Sequence, residues 1–211
     1  MKQADTSVNQ ITEGVIWKQL LFFFFPIMLG TLFQQLYNTA DAVVVGRFVG
    51  TEALAAVGGS TGQIANLIVN FFVGLASGAT VIIARYYGAK NKKDLNDTLH
   101  TAAALSFVGG ILTSVIGIAA TPGMLRLMKT PDNVMADSRT YLSIYFAGIL
   151  FVFIYNVGSA ILRAAGDSKR PLYFLIVCCF INIFLDIVLV VFFHMGVAGA
   201  AIATVVSQAV S

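Results

Sequence analysis

The hydrophobic residues of this chain fall into long continuous runs that short polar segments separate. A helix needs about 20 apolar residues to cross a bilayer, and six runs reach or approach that length. We therefore predict an all-α integral membrane fold, a six-helix transmembrane bundle in one domain over residues 15–211, preceded by a polar N-terminal segment at residues 1–14. The predicted helices cover residues 15–45, 53–84, 99–120, 131–162, 171–193 and 197–211.

Two of these helices have features of their own. The first contains Pro26, which removes a backbone hydrogen bond and predicts a bend in that helix. The sixth is shorter than a full span at Ser211, where the sequence stops, so we expect it to be a truncated helix of a longer protein.

The composition supports a bilayer as the solvent of this surface. Hydrophobic residues make up 58% of the chain and charged residues 11%, and the mean hydropathy is +0.85. Soluble domains carry roughly 25% charged residues. The net charge of +3 is too small to indicate a nucleic-acid partner. The two cysteines are adjacent in an apolar run, which fits neither a disulfide nor a metal site.

The basic residues indicate the orientation of the bundle, since cytoplasmic loops of membrane proteins are enriched in lysine and arginine. With the N-terminus inside, nine of the thirteen basic residues lie on the cytoplasmic side. These nine are Lys2, Lys18, Arg85, Lys90, Lys92, Lys93, Arg163, Lys169 and Arg170. We therefore predict a cytoplasmic N-terminus.

Two carboxylates lie at membrane depth, where an ionisable group costs roughly 2.5–3.5 kcal/mol and needs a partner or a water-lined cavity. Asp41 lies in the first helix, on one face with Tyr37, and Asp186 lies in the fifth helix, one turn after Asn182. Carboxylates close together can take up and release a proton, and with amide and hydroxyl oxygens they also form a site for Na⁺. Two alternatives remain open: Asp41 pairs with Arg47 at the membrane surface, or Asp186 makes a structural interhelical hydrogen bond.

Other polar residues extend this pattern to the remaining helices. The fourth helix carries Asn156 and the sixth carries Thr204. The amides of the second helix at Asn66 and Asn70 are more typical of contacts between helices than of a transport site. Polar faces of membrane helices must meet one another or water, so they predict a polar interior.

Several segments resemble the multidrug and toxic compound extrusion (MATE) family. The first helix carries Pro26 and the run QQLYNTAD at 34–41, and the loop LRAAGDSKRP spans 162–171. The runs NIFLD at 182–186 and GVAGAAIAT at 196–204 are similar to the fifth and sixth helices of that family. The likeness covers nearly the whole chain after the polar N-terminus.

This resemblance implies an antiporter of the plasma membrane with twelve helices in two lobes, of which this chain is the N-terminal one. Such proteins exchange H⁺ or Na⁺ for organic, often cationic, compounds by alternating access, with no cofactor. The resemblance assigns the coupling ion to Asp41 and Asp186, surrounded by four polar partners. It also associates Pro26 with bending of the first helix. The partners are Tyr37, Asn156, Asn182 and Thr204.

The resemblance also implies that the partners of this chain are the bilayer, the organic substrate and a missing C-terminal lobe. A homodimer of half-transporters is a less favoured arrangement. One rival function is a flippase for lipid-linked precursors, but its cavity would need basic residues at mid-span. A non-transporting membrane fragment is another. An enzyme is disfavoured, because no HExxH motif lies in a span and the chain has no Ser-His or Cys-His constellation.

Overall fold

A computed structural model describes residues 15–211, except for the side chain of Ile16. The predicted N-terminal segment at residues 1–14 lies outside the described residues. Within the described part, seven α-helices and one π-helix follow one another along the chain. They are α1 (Ile16–Phe48), α2 (Thr51–Gly58), α3 (Ser60–Gly88), α4 (Lys92–Leu127), α5 (Asp132–Ala164), α6 (Lys169–Asp186), the π-helix (Ile187–Phe192) and α7 (Gly196–Val210).

The helices form a multi-pass membrane bundle, as the sequence predicted. Five helical segments of residues 15–211 are long and apolar enough to cross a bilayer. Helix α7 is a sixth, shorter apolar helix. The five segments are Trp17–Phe48, Thr51–Gly88, Lys92–Leu127, Asp132–Ala164 and Lys169–Phe192.

Three predicted helices differ from those observed. The predicted helix 53–84 is divided at Gly59 into α2 and α3, because the backbone there has a ψ of −123° that no helix continues. The predicted helix 99–120 is the longer α4, whose polar ends extend it. The predicted helix 171–193 is α-helical only to Asp186 and then widens into the π-helix. Hydropathy reports apolar length, which neither a local break nor a change of helical pitch alters.

Helix α5 is the central element, since it packs against α2, α3, α4, α6 and α7. One buried cluster joins α1, α2, α5, the π-helix and α7, around Val45, Tyr141 and Ala200. A second joins α3, α4 and α5, around Leu125 and Phe146. Helix α1 lies against α6 on the other side of the bundle. The arrangement places α1, α5, α6 and α7 around a common interior.

Small residues let α5 approach its neighbours closely. A Cβ at Gly117 of α4 would lie 2.6 Å from the ring of Phe146 on α5. A Cβ at Gly148 of α5 would likewise overlap Val205 of α7. Helices in membranes associate largely by such close packing, because lipid tails are as apolar as the side chains. These two glycines therefore help to set the position of α5.

The outer surface is apolar, as contact with lipid requires. Large hydrophobic side chains on α1, α3 and α4 are exposed, including Phe22 at 76%, Leu67 at 72% and Leu105 at 67%. Pro26 lies inside α1, which continues through it to Phe48. Because proline has no N–H group, this turn of α1 lacks one backbone hydrogen bond.

Candidate functional site

Two buried carboxyl groups meet in the interior of the bundle. Asp41 of α1 is 7% exposed and Asp186, the last residue of α6, is 0% exposed. Their side chains approach each other closely enough for their charges to interact. Two carboxyl groups this close repel each other when both are ionised. The fold therefore brings together the acids that the sequence singled out on two different helices.

Three further polar side chains surround this pair. Asn182 lies one helical turn before Asp186 and is 0% exposed. Tyr37, one turn before Asp41, approaches both that carboxyl group and the hydroxyl of Thr204 on α7. The Thr204 hydroxyl also donates to the Ala200 carbonyl at 3.0 Å. We call these five residues the carboxylate cluster.

Several polar atoms of the carboxylate cluster have no hydrogen-bond partner in the described part of the chain. Within residues 15–211, no hydrogen bond from another side chain or from the backbone reaches Asp41 Oδ1, either Asp186 oxygen or the amide of Asn182. The single ion pair of the described chain joins Arg170 to Asp167, so neither buried acid has a basic partner. The predicted alternative of a pair between Asp41 and Arg47 is therefore wrong for this structure.

These atoms give the cluster its chemistry. Buried polar groups in proteins are satisfied by a partner, a water molecule or an ion. The free atoms here include four oxygens, three of them from carboxyl groups. Hard oxygen ligands suit small hard cations, and a carboxyl pair alternatively holds a proton. In the described part of the chain, no three or more histidine, cysteine or acidic residues lie together. The ligands that the carboxylate cluster offers therefore fit a transition metal poorly.

The helix that carries Asp186 changes its geometry at this residue. Asp186 ends α6 and directly precedes the π-helix at Ile187–Phe192. A π-helix inside an α-helix is rare and often occurs at functional sites. Gly199 of α7 packs against this segment, since a Cβ on it would lie 3.2 Å from the Leu189 backbone. The π-helix and the small residues of α7 together bring Thr204 close to the two acids.

A polar cavity of about 490 Å³ lies beside the carboxylate cluster. Tyr37 and Thr204 of the carboxylate cluster also line this cavity, whereas Asp41 and Asp186 do not. These two side chains therefore separate the acids from the cavity. Helices α1, α3, α5, α6 and α7 form its walls, and half of its polar side chains are amides. The amides are Gln34, Gln35, Asn38, Asn66, Asn70, Asn156 and Gln208. We call this space the polar cavity.

The remaining two predicted site residues line the polar cavity instead of touching the acids. Asn156 donates its side-chain hydrogen bond to the Val152 carbonyl at 2.8 Å and makes none to either carboxyl group in the described structure. Pro26 lines the same cavity on α1. The amides Asn66 and Asn70 of α3, expected at a helix contact, also face this cavity.

Sequence reasoning missed Tyr141 and underrated Arg163. Tyr141 and Tyr145 of α5 lie one turn apart, with stacked rings 6.3 Å apart, and Tyr141 approaches both acids and Thr204. Two tyrosines one turn apart in a membrane span were the available signal, because a buried hydroxyl needs a polar partner. Arg163, assigned by sequence to the cytoplasmic side alone, lines the polar cavity.

Several known proteins are similar to this chain in sequence. A family model described as MatE matches residues 26–188. The chain is 37% identical over 196 residues to "Probable multidrug resistance protein YoeA" of Bacillus subtilis (strain 168). That alignment covers 91% of this chain and 42% of the relative, so the chain spans less than half of the relative's length.

Solved structures of transporters have the same fold. An outward-facing multidrug resistance MATE family transporter of the MOP superfamily matches with a TM-score of 0.89 and 30% identity, over 99% of this chain and 46% of that one. An inward-facing transporter of the same description matches with a TM-score of 0.78 and 31% identity, over 84% of this chain and 40% of that one.

Proposed function

This chain belongs to the MatE family, and from that membership and the carboxylate cluster we propose that it is the N-terminal lobe of an exporter of organic compounds driven by a gradient of H⁺ or Na⁺. The single observation that carries the coupling proposal is the contact between Asp41 and Asp186, two buried acids without a basic partner in the described chain. We infer that a cation that binds and dissociates reversibly, H⁺ or Na⁺, neutralises this pair.

The coupling ion acts on the packing of α1 against α6 and α7. When both acids are ionised, their charges repel across the contact between α1 and α6. A proton shared by the pair, or Na⁺ held by the carboxylate and Asn182 oxygens, removes this repulsion and lets the helices close. Tyr37 and Tyr141 follow, because both approach Asp41, and Thr204 follows through its contacts with these two tyrosines.

Helix α1 transmits this change in packing to the substrate. Helix α1 carries Asp41, and its residues from Pro26 to Asn38 form one wall of the polar cavity. The turn at Pro26 lacks one backbone hydrogen bond, so bending there costs less than elsewhere in the helix. Occupancy of the carboxylate cluster therefore changes the shape of the polar cavity through α1. This is the coupling that an antiporter requires.

The rest of the proposed protein follows from the share of its relatives that this chain spans. We infer that a second lobe of similar size completes the substrate path and that the N-terminus lies on the cytoplasmic side of the plasma membrane. Nine of the thirteen basic residues support that orientation. The partners are then the bilayer, the second lobe and small organic substrates.

Reconstituted full-length protein tests the proposal directly. We expect an imposed pH or Na⁺ gradient to drive efflux of a fluorescent organic dye from proteoliposomes. Asp41→Asn and Asp186→Asn should each reduce this efflux at least tenfold, since an amide binds neither a proton nor Na⁺ as a carboxylate does. Asp137→Asn is the matched control, because Asp137 is an exposed acid of α5.

The outcomes separate the rival functions. Efflux that responds to only one gradient identifies the coupling ion. Efflux that ignores both gradients and both substitutions would remove the carboxylate cluster from the mechanism. Lipid-precursor flipping in the same liposomes without a gradient would support the flippase, and no movement of either compound would support a fragment without transport activity.

A further inference from the structure

The polar cavity carries one charged side chain that the coupling chemistry does not use. Among the described residues that line it, Arg163 is the single charged one, and aspartate and glutamate are absent. Asp41 and Asp186 do not line the cavity and contribute no charge to its wall, whereas Tyr37 and Thr204 do line it. An organic molecule in this cavity therefore meets amides, aromatic rings and one guanidinium.

Arg163 lies at the opposite end of the cavity from the acids. Tyr145 and Arg163 line it on the same helix and are 18 residues apart in sequence. At a rise of 1.5 Å per residue, their positions on α5 are about 27 Å apart. The guanidinium is thus too distant to neutralise Asp41 or Asp186, and its charge acts on a different group.

The backbone holds Arg163 at the end of the helix. The Arg163 carbonyl accepts the Gly166 N–H at 3.0 Å, and the Asp167 N–H bonds to the Leu162 carbonyl at 2.9 Å. Gly166 has a φ of +87°, which glycine adopts readily, so the chain turns sharply away after α5. This turn leaves the partly buried side chain of Arg163 at the cavity.

The acid closest in sequence is already engaged elsewhere. Asp167 Oδ2 lies 3.1 Å from Arg170 Nε. Asp167 Oδ1 accepts the backbone N–H groups of Lys169 and Arg170, each at 3.1 Å. Throughout the described chain, that ion pair is the one formed, so Arg163 has no carboxylate partner.

A guanidinium in this position is suited to an anion of fixed geometry. Its planar fork binds a carboxylate through two parallel hydrogen bonds. Tyr155 and Asn156 of α5 and Gln208 of α7 add polar groups to the cavity lining. Leu172 and Leu175 of α6 add apolar surface to it. The cavity thus has a place for an anionic group and for an apolar body.

We propose that Arg163 binds the carboxylate of the exported compound, so that this transporter selects organic acids and zwitterions over simple organic cations. The inference rests on the proposed export function and narrows its substrate class. It replaces the expectation of a mainly cationic substrate with one that carries a free carboxylate.

A pair of matched dyes tests this selection without any gradient. We would measure the binding of a rhodamine with a free carboxylate, which is a zwitterion, and of its methyl ester, which is a cation. Purified full-length protein in detergent and fluorescence polarisation serve for both. The native protein should bind the zwitterion about tenfold more tightly, as a charge-assisted bidentate contact provides.

Variants then assign the preference to Arg163. Arg163→Gln should remove the tenfold preference and leave the binding of the ester within twofold of the native value. Arg163→Lys should restore part of it, because the charge remains but the fork is lost. Arg170→Gln is the control, since Arg170 is an exposed cation of the adjacent loop that lies outside the polar cavity.

Three results would overturn the proposal. The native protein binds both dyes equally, or binds neither. Alternatively, Arg163→Gln weakens both dyes to the same extent, as it would if Arg163 paired with a lipid phosphate or with an acid elsewhere in the full-length protein. Because binding is measured without a gradient, a preference that persists in a protein without coupled efflux would refute the proposed export function, and Arg163 would then remain a carboxylate-binding residue without a role in export.

Discussion

Replacing Asp186 by asparagine should change how the stability of the full-length protein depends on pH. In the proposed mechanism the native pair shares a proton, which the separated, hydrated acids of an unfolded chain would release at neutral pH. A native state that binds more protons than the unfolded state loses stability as the pH rises. Asp186→Asn removes one of the two charges, so the repulsion cannot develop in the variant.

The contact between the two acids sets the size of the effect. Two unit charges about 4 Å apart repel by roughly 4 kcal/mol at an effective dielectric constant of about 20. Because the proposed full-length protein is about twice as long as this chain, 1 kcal/mol shifts its unfolding midpoint by roughly 1–2 °C. The native protein should therefore lose at most about 4–8 °C between pH 6 and pH 9 without Na⁺, and hydration of the separated acids reduces that figure.

Thermal unfolding in detergent, followed at several pH values with and without Na⁺, measures this directly. We expect the native midpoint to fall with rising pH and, if the pair binds Na⁺, to recover when Na⁺ is added, since a ligand of the native state stabilises it. Asp186→Asn should show a nearly flat profile, and Asp137→Asn should follow the native protein. Parallel profiles for the native protein and Asp186→Asn would refute the reasoning.

Two further predictions concern packing and orientation. Gly117→Ala should destabilise the bundle by about 1–3 kcal/mol, because the added Cβ overlaps α5, whereas Gly123→Ala on the same helix should not, since nothing lies within 4 Å of its Cβ; equal midpoints in thermal unfolding would contradict this. In intact cells, a membrane-impermeant maleimide should label Lys129→Cys and reach Lys90→Cys only after permeabilisation, and the reverse pattern would contradict a cytoplasmic N-terminus. The two native cysteines are buried and give little background.

The two acids show how far residue chemistry leads without a structure. Asp41 and Asp186 are identified by the cost of a charge in an apolar run, which is a property of each residue and its immediate neighbours. Tyr37 and Asn182 follow from helical spacing on the same faces. The polar faces of their helices indicated Asn156 and Thr204, and the family resemblance made them partners of the acids. The fold places Thr204 beside Tyr37 and both residues in the lining of the polar cavity.

The role of Arg163 shows where such reasoning ends. Counting basic residues by loop placed it at the cytoplasmic side, which describes its depth but not the direction of its side chain. Whether it faces lipid, water or a cavity depends on the rotation of α5, and the neighbours of α5 set that rotation through contacts such as Gly117 with Phe146. No local pattern encodes that rotation.

The amino-acid sequence was enough to predict the class of the protein and its buried charges, because hydropathy and the cost of ionisation add up residue by residue along one helix. The family resemblance could also be read from it. The packing of the helices was needed to show that Asp41 contacts Asp186, that Tyr141 lies beside them, and that Tyr37 and Thr204 separate them from the polar cavity. Those relations depend on the rotation and depth at which separate helices pack, including the pitch change of the π-helix after Asp186. Contacts between residues far apart in sequence set these quantities.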